Sequence, residues 1–315
     1  MDFQSVLTFA LSKKAKPQMI LLSLILAVVL AHFFPFEARK VLAPFQRWLF
    51  NRFETGHRRD AFLPWLTAVF PAILLFALSF WVAHRALWVY LVFNVVFLWF
   101  SLDFYPRRRL YAAIIADLNG GQIESAKQNY KKWRAFDGAE NDEIAHFDAP
   151  KIGQESLNCG FVDSHRHFFA PLYFFLIFGA GGALFYRIAE SLSQKIEEFD
   201  ESDSPFWRFG QTIFACLDWL PSRLTALGYA IMGHFEGAMV EMKKLRQGSA
   251  IAQNTAFLAE CGLAALALTP IDKTFQQPAN ALLHGESLVD RIFGLWIFVC
   301  TLLFFTEMAG RFFVV

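Results

Sequence analysis

Leu217 to Ala238 reads LDWLPSRLTALGYAIMGHFEGA, apolar enough for a bilayer yet holding Asp218, Pro221 and Arg223, then His234 and Glu236. Charged side chains at membrane depth are costly and are kept for a function or a fixed partner. Proline lacks an N–H and turns its predecessor away from helix, so a break is expected at Leu220 and a new helix from Pro221. Asp218 would face the positive end of that helix, with Arg223 one turn in and within reach. Two chemistries fit this arrangement. Either Asp218 caps the helix and pairs with Arg223 to brace a kink, or Arg223 and free backbone amides hold an anionic or polar ligand. Gly233 and Gly237 end the helix or allow close packing and indicate no ligand.

Other groups offer less. His165-Arg166-His167 precedes an apolar run and His234 follows one. A metal site would need a carboxylate or thiolate converging on them, and His-x-His on an interfacial segment is expected to be solvated or bonded to backbone. No metal site is predicted. Gly179-Ala-Gly-Gly182 reads as a surface for close helix approach rather than a phosphate loop. Four cysteines lie far apart with no Cys-x-x-Cys pair, and are expected to be small buried residues. The chain has no nucleophile elbow, Walker loop, His-Glu-x-x-His or dinucleotide fingerprint, so no catalytic residue and no cofactor is predicted.

The elements that must position these residues are helices in lipid. Apolar residues make up 56% of the 315 and charged residues 18%, below the ~25% of soluble domains. A net charge of +1 gives no argument for nucleic acid. The predicted class is all-α, a polytopic helical membrane protein with about five to six transmembrane helices, interfacial helices and one proline-broken helix. A membrane region, 1–102, carries spans near 19–36, 63–83 and 86–102, the first uncleaved behind Lys13, Lys14 and Lys16. His84 and Arg85 leave room only for a tight hairpin between the second and third. The basic connector 36–61 has apolar residues at near-helical spacing, which fits a surface helix or one packed on the protein. Region 103–167 is soluble in character. It holds helices at Leu110–Leu118 and Ile123–Phe136 around Gly120-Gly121, then a loop from Asp137 to Gly153. A second membrane region, 168–315, carries a span near 168–186, the broken helix 206–232 and a last span near 291–309. The Ala-rich helix 251–268 is assigned to packing against the bundle. Basic segments 37–61 and 103–111 belong in the cytoplasm and the acidic segment 190–203 outside, although the N-terminal lysines oppose that orientation.

Ala170-Pro-Leu-Tyr173, Gly182-Ala-Leu-Phe-Tyr-Arg187, Leu217-Asp-Trp-Leu-Pro-Ser-Arg-Leu224 and Tyr229-Ala-Ile-Met-Gly233 resemble the AmpE/CobD-CbiB family. The likeness is firm over 166–237 and looser over the first three spans. Synthases of that family carry Glu-Asn-x-x-Asp-Gly before their Ala-Pro-Leu. Val162-Asp-Ser-His-Arg-His167 stands there in this chain, so the groups expected to handle ATP, magnesium or substrate are absent. The AmpE branch places an arginine before Ala-Pro-Leu, as Arg166 does here. It also has Asp-Trp-x-Pro-x-Arg and Ile-Gly-His-x-Glu patterns like Asp218 to Arg223 and Met232 to Glu236. The resemblance adds Arg166, Tyr186 and Arg187 to the candidate ligand-binding or structural residues. It implies a multi-pass protein of the bacterial inner membrane, non-catalytic and regulatory or sensory in cell-wall and β-lactamase signalling. Its implied partners are the bilayer and other membrane or cell-wall signalling proteins. The alternatives are a cobalamin-pathway synthase attaching an aminopropanol arm to a corrinoid, and a scaffold for other membrane proteins.

Overall fold

The computed structural model of the protein describes residues 17–53, 62–83, 87–136, 142–193, 205–244, 254–267 and 277–313. Expectations for Lys13 to Lys16, the His84-Arg85 turn and the acidic stretch 194–203 lie outside the described residues. The fold is all-helical: α1 (Pro17–Phe33), α2 (Ala38–Phe53), α3 (Phe62–Ala83), α4 (Leu87–Ser101), α5 (Tyr105–Asn119) and α6 (Ile123–Ala135) come first. A 3-10 turn (Asp142–His146) leads to α7 (Ala149–Ser164), a π-helical turn (His165–Phe169) and α8 (Ala170–Ser193). The chain closes with α9 (Pro205–Met232), α10 (Phe235–Lys244), α11 (Asn254–Ala265) and α12 (Pro278–Phe313).

Local chemistry explains most of the boundaries. Gly121, at φ 69°, turns the chain between α5 and α6. The expected loop to Gly153 is shorter than read. Asp148 accepts a bond from Lys151 N and Pro150 occupies the first turn, so α7 starts at Ala149.

The broken helix is in a different place from the one expected. α9 runs unbroken from Pro205 to Met232 with Pro221 inside it. Beside the ring, Trp219 O accepts from Ser222 Oγ and from Arg223 Nη1, both at 2.9 Å. The N–H that Pro221 lacks would have met Leu217 O, four residues back, so these bonds do not replace it; the helix continues through the proline all the same. The interruption falls in α8, where Gly179 adopts φ 68°, ψ −158°. Only glycine takes that conformation without strain.

α8 is the axis of the molecule, packing against α2, α3, α4 and α9 and contributing to both hydrophobic clusters of the core. Its glycines set the closest approach: a Cβ on Gly181 would stand 2.7 Å from Phe76 Cα in α3. Among the described residues, 149–193 is long and apolar enough to cross a membrane, and its most apolar window is 67% buried. Trp88–Ser101 with Tyr105–Asn119, bent by 42°, would make a second. Apolar side chains are also exposed in rows, among them Leu26, Val29 and Phe33 on α1, Phe70, Ile73 and Leu74 on α3, and Trp88 and Val92 on α4.

Gly181→Val should lower stability by about 1–3 kcal/mol, because Phe76 backbone cannot yield as a side chain would. Gly294, with nothing near its would-be Cβ, should accept alanine without loss. Thermal melting of the two purified variants separates these outcomes.

Candidate functional site

Asp163, His165 and His167 are spaced so that helical geometry puts the first and third on one side and the second on the other. The structure uses both sides. His165 points to α9, its Nδ1 2.8 Å from Thr225 Oγ1 and its Nε2 2.8 Å from Asp218 Oδ1. Tyr186 of α8 donates to the same Asp218 oxygen at 2.7 Å, and Tyr173 OH lies 3.2 Å from Thr225 Oγ1. Asp218 Oδ1 only accepts, so Nε2 carries the imidazole proton that it shares. His165 and Thr225 are 0% exposed and Asp218 1%. Next to this chain Ser164 Oγ and Tyr229 OH meet at 3.1 Å, and Tyr229 donates to Phe161 O.

On the opposite side Asp163 pairs with Arg107 of α5 at 2.9 Å and accepts from Trp133 Nε1 of α6 at 2.7 Å. Arg187 of α8 donates to His167 Nδ1 (2.7 Å), to Glu190 (3.0 Å) and, from Nε and Nη2, to Ser101 O. A donor on Nδ1 makes that nitrogen an acceptor, so His167 is a neutral imidazole protonated at Nε2. Its 4.0 Å approach to Asp163 is therefore not an ion pair. A cavity of ≈ 30 Å³ beside Arg107, Asp163 and Trp133 has room for about one water.

The π-helical turn at His165–Phe169 lies between the two networks. Such turns insert a residue into a helix and re-aim the side chains that follow, and they cluster at functional positions. Here two polar networks leave one helix in opposite directions and tie it to α9 on one side and to α4, α5 and α6 on the other.

Hydroxyl, imidazole and carboxylate stand in the order Thr225–His165–Asp218, the connectivity that activates a nucleophile in acyl-transfer enzymes. Accessibility separates the two cases. Thr225 has no exposed surface for a substrate to reach, and these bonds join the π-helical turn and α8 to α9 inside the core. Asp218 Oδ2 has no hydrogen-bond partner among the described residues, leaving one acceptor in the network unsatisfied there.

Several expectations change. Asp218 does not pair with Arg223. The helix through Pro221 is continuous, and residues five apart on it point in different directions. Arg223 bonds Asn254 Oδ1 instead, at 2.8 Å. His165 and His167 are buried and bonded to side chains, neither solvated nor bonded to backbone. Tyr186 joins Asp218, and Arg187 lies in the adjoining network. Arg166 bonds Thr255 at 2.6 Å. His234 and Glu236 are exposed at the α9–α10 junction, where His234 Nδ1 accepts from Gly237 N at 3.0 Å and caps α10. Among the cysteines Cys261 and Cys300 are buried, Cys216 is exposed, and Cys159 lies 3.5 Å from an Arg134 nitrogen. His165, His167 and Asp163 stand out in the sequence only as a weak metal candidate and as part of a departed motif, and nothing in it marks Thr225, Tyr173, Arg107 or Asp103 as site residues. The signal available is the alternation of Asp163, His165 and His167, which puts polar groups on two opposite sides of one helix.

A helical axis carrying two buried polar networks, with apolar side chains turned outward, is the class that fold and site define. The chain belongs to the family described as "Regulatory signalling modulator protein AmpE", whose family model matches residues 19–245. Curated relatives are cobalamin proteins. The "Probable cobalamin biosynthesis protein CobD" of Pyrococcus furiosus is 23% identical over 177 residues, 56% of this chain and 60% of that one. The "Cobalamin biosynthesis protein CobD" of Chromobacterium violaceum is 39% identical over 66 residues, 21% of each chain. A "Probable cobalamin biosynthesis protein CobD" of Pyrococcus abyssi is 32% identical over 93 residues, 29% of this chain and 30% of the relative. The chain thus spans at most 60% of the length of these relatives. No solved structure matches it.

Two predictions follow from the networks. Asp218→Ala and His165→Ala should each cost about 3–5 kcal/mol, because each strands a buried partner. A double-mutant cycle should give a coupling on the order of 1–3 kcal/mol for that pair and near zero for Asp218 with Arg223. The second concerns Asp103, past the end of α4 where the chain bends into α5. It is 3% exposed, and its Oδ1 has no hydrogen-bond partner among the described residues. A buried, incompletely bonded charge is costly, so Asp103→Asn should melt no lower than the native protein at pH 7.

Proposed function

We propose that this protein is a multi-pass component of the bacterial inner membrane with a regulatory or sensory role in cell-wall and β-lactamase signalling, rather than a synthase. The observation that carries the reading is the use made of Asp163 to His167, where related synthases are expected to hold an acidic motif. In this chain Asp163 is bound to Arg107 and Trp133, His165 to Asp218 and Thr225, and His167 to Arg187. These groups are bonded to one another inside the bundle, where a substrate would have to break the core to reach them.

The membrane placement draws support from the inversion of polarity. Arg107, Asp163, Arg187, Glu190 and Asp218 are inside, while Phe33, Phe70, Trp88, Ile177 and Phe298 are outside. Water would penalise that arrangement on both counts, and a bilayer would favour it. A second reading, a role in cobalamin biosynthesis, is favoured by the similarity to the CobD relatives.

Deletion in a host with an inducible β-lactamase should change induction by β-lactams and leave cobalamin-dependent growth intact. Unaltered induction in the deletion strain counts against the regulatory reading. Rescue of a strain lacking its CobD-type synthase would establish the second reading in its place.

A further inference from the structure

Arg223 is released from Asp218 and held by other means. Its guanidinium lies between two aromatic rings, with Cζ 4.5 Å from the Trp219 centroid and 4.8 Å from that of Phe257. Nη1 donates to Trp219 O, Ser222 Oγ and Asn254 Oδ1 at 2.9, 3.1 and 2.8 Å. Asn254 is itself fixed, buried and donating from Nδ2 to Ala215 O at 3.1 Å. One corner of the fork is thus saturated and the ring plane is fixed by stacking. The other edge, Nε and Nη2, carries no hydrogen bond among the described residues.

A guanidinium edge is two parallel N–H groups at the spacing of two oxyanion oxygens, and holding it rigid removes the entropy cost of using it. A second cation is tied to the same helix start. Arg166 donates from Nη2 to Thr255 Oγ1 at 2.6 Å, and its Cζ lies 5.5 Å from the Phe214 ring centre. Asn254 and Thr255 are the first two residues of α11, so both arginines are anchored on one helix start. The carboxylate of Asp218 is engaged by His165 and Tyr186. Trp219 and Leu220 beside Arg223 are about half exposed. An arginine with apolar neighbours at the surface is placed to extend towards lipid headgroups.

We propose that the Nε/Nη2 edge of Arg223 is a binding site for a phosphate-type oxyanion, supplied either by an anionic lipid headgroup or by a free phosphate group. The oxyanion chemistry is independent of the signalling role. Only the lipid source rests on the proposed membrane placement.

The test uses the full chain in non-ionic detergent, with inorganic phosphate or phosphatidylglycerol added at constant ionic strength and melting temperature as readout. The native protein should melt several degrees higher, on the order of 5 °C, at saturating ligand. A rise with both additions, or with phosphate alone, identifies a free-phosphate site; a rise with the lipid alone identifies a headgroup site. Arg223→Gln should abolish the rise. Arg223→Lys, which keeps the charge and loses the fork, should weaken binding by roughly tenfold or more. No rise in the native protein with either addition overturns the proposal, and so does an undiminished rise in Arg223→Gln. Should the Gln variant fail to accumulate, equal affinities for native and Arg223→Lys protein would overturn it on their own.

Discussion

The carboxylate of Asp218, sealed among three helical elements, is the constraint on which the rest of the core depends. A buried charge without partners costs more than most single contacts contribute, so every element around it must deliver a donor. His165 does so from the π-helical turn and Tyr186 from α8. Thr225 and Tyr173 then fix the far side of the imidazole. These bonds set the rotation of α9 against α8 more tightly than apolar packing does, because a hydrogen bond fails over a few tenths of an ångström and a few tens of degrees. The Arg187 network does the same for α4 by seizing Ser101 O with two donors.

The break at Gly179 and the continuity at Pro221 both depart from what the local sequence suggests. At Pro221 the helix survives its proline although Leu217 O loses the backbone donor four residues on. Near Gly179 the sequence offers Ile177, Phe178 and Ala180, none with a side-chain donor. There the backbone leaves the helix, as only a glycine allows. Gly181 beyond it is then brought against the Phe76 backbone, an approach that a larger residue would block.

This is why part of the structure was legible in the sequence and part was not. Apolar runs gave the cores of α1, α3, α4 and α12, and Gly120-Gly121 gave the α5–α6 turn, because those signals are local. Asp218 was recognisable as out of place in an apolar stretch, and Tyr186 as worth following. Their partners were not recognisable. Asp218 and Arg223 are near in sequence and attractive in charge, and a pairing is the natural inference if the helix breaks between them. The helix continues, and it turns Arg223 towards Asn254 while Asp218 meets a histidine 53 positions earlier. A choice between a partner five residues away and one 53 away is made by tertiary packing, which no local pattern encodes.

The same three functional groups mean different things according to what surrounds them. Thr225, His165 and Asp218 have the connectivity of a nucleophilic triad, but a nucleophile needs an open face and a site for the developing oxyanion. Phe161, Tyr173 and Tyr229 are packed into the core around this chain, and the accessible arginine edge lies elsewhere, at Arg223. Charge that is buried and bonded within the core serves the architecture. The charge free to meet a ligand is the one that the aromatic rings of Trp219 and Phe257 hold open at the surface.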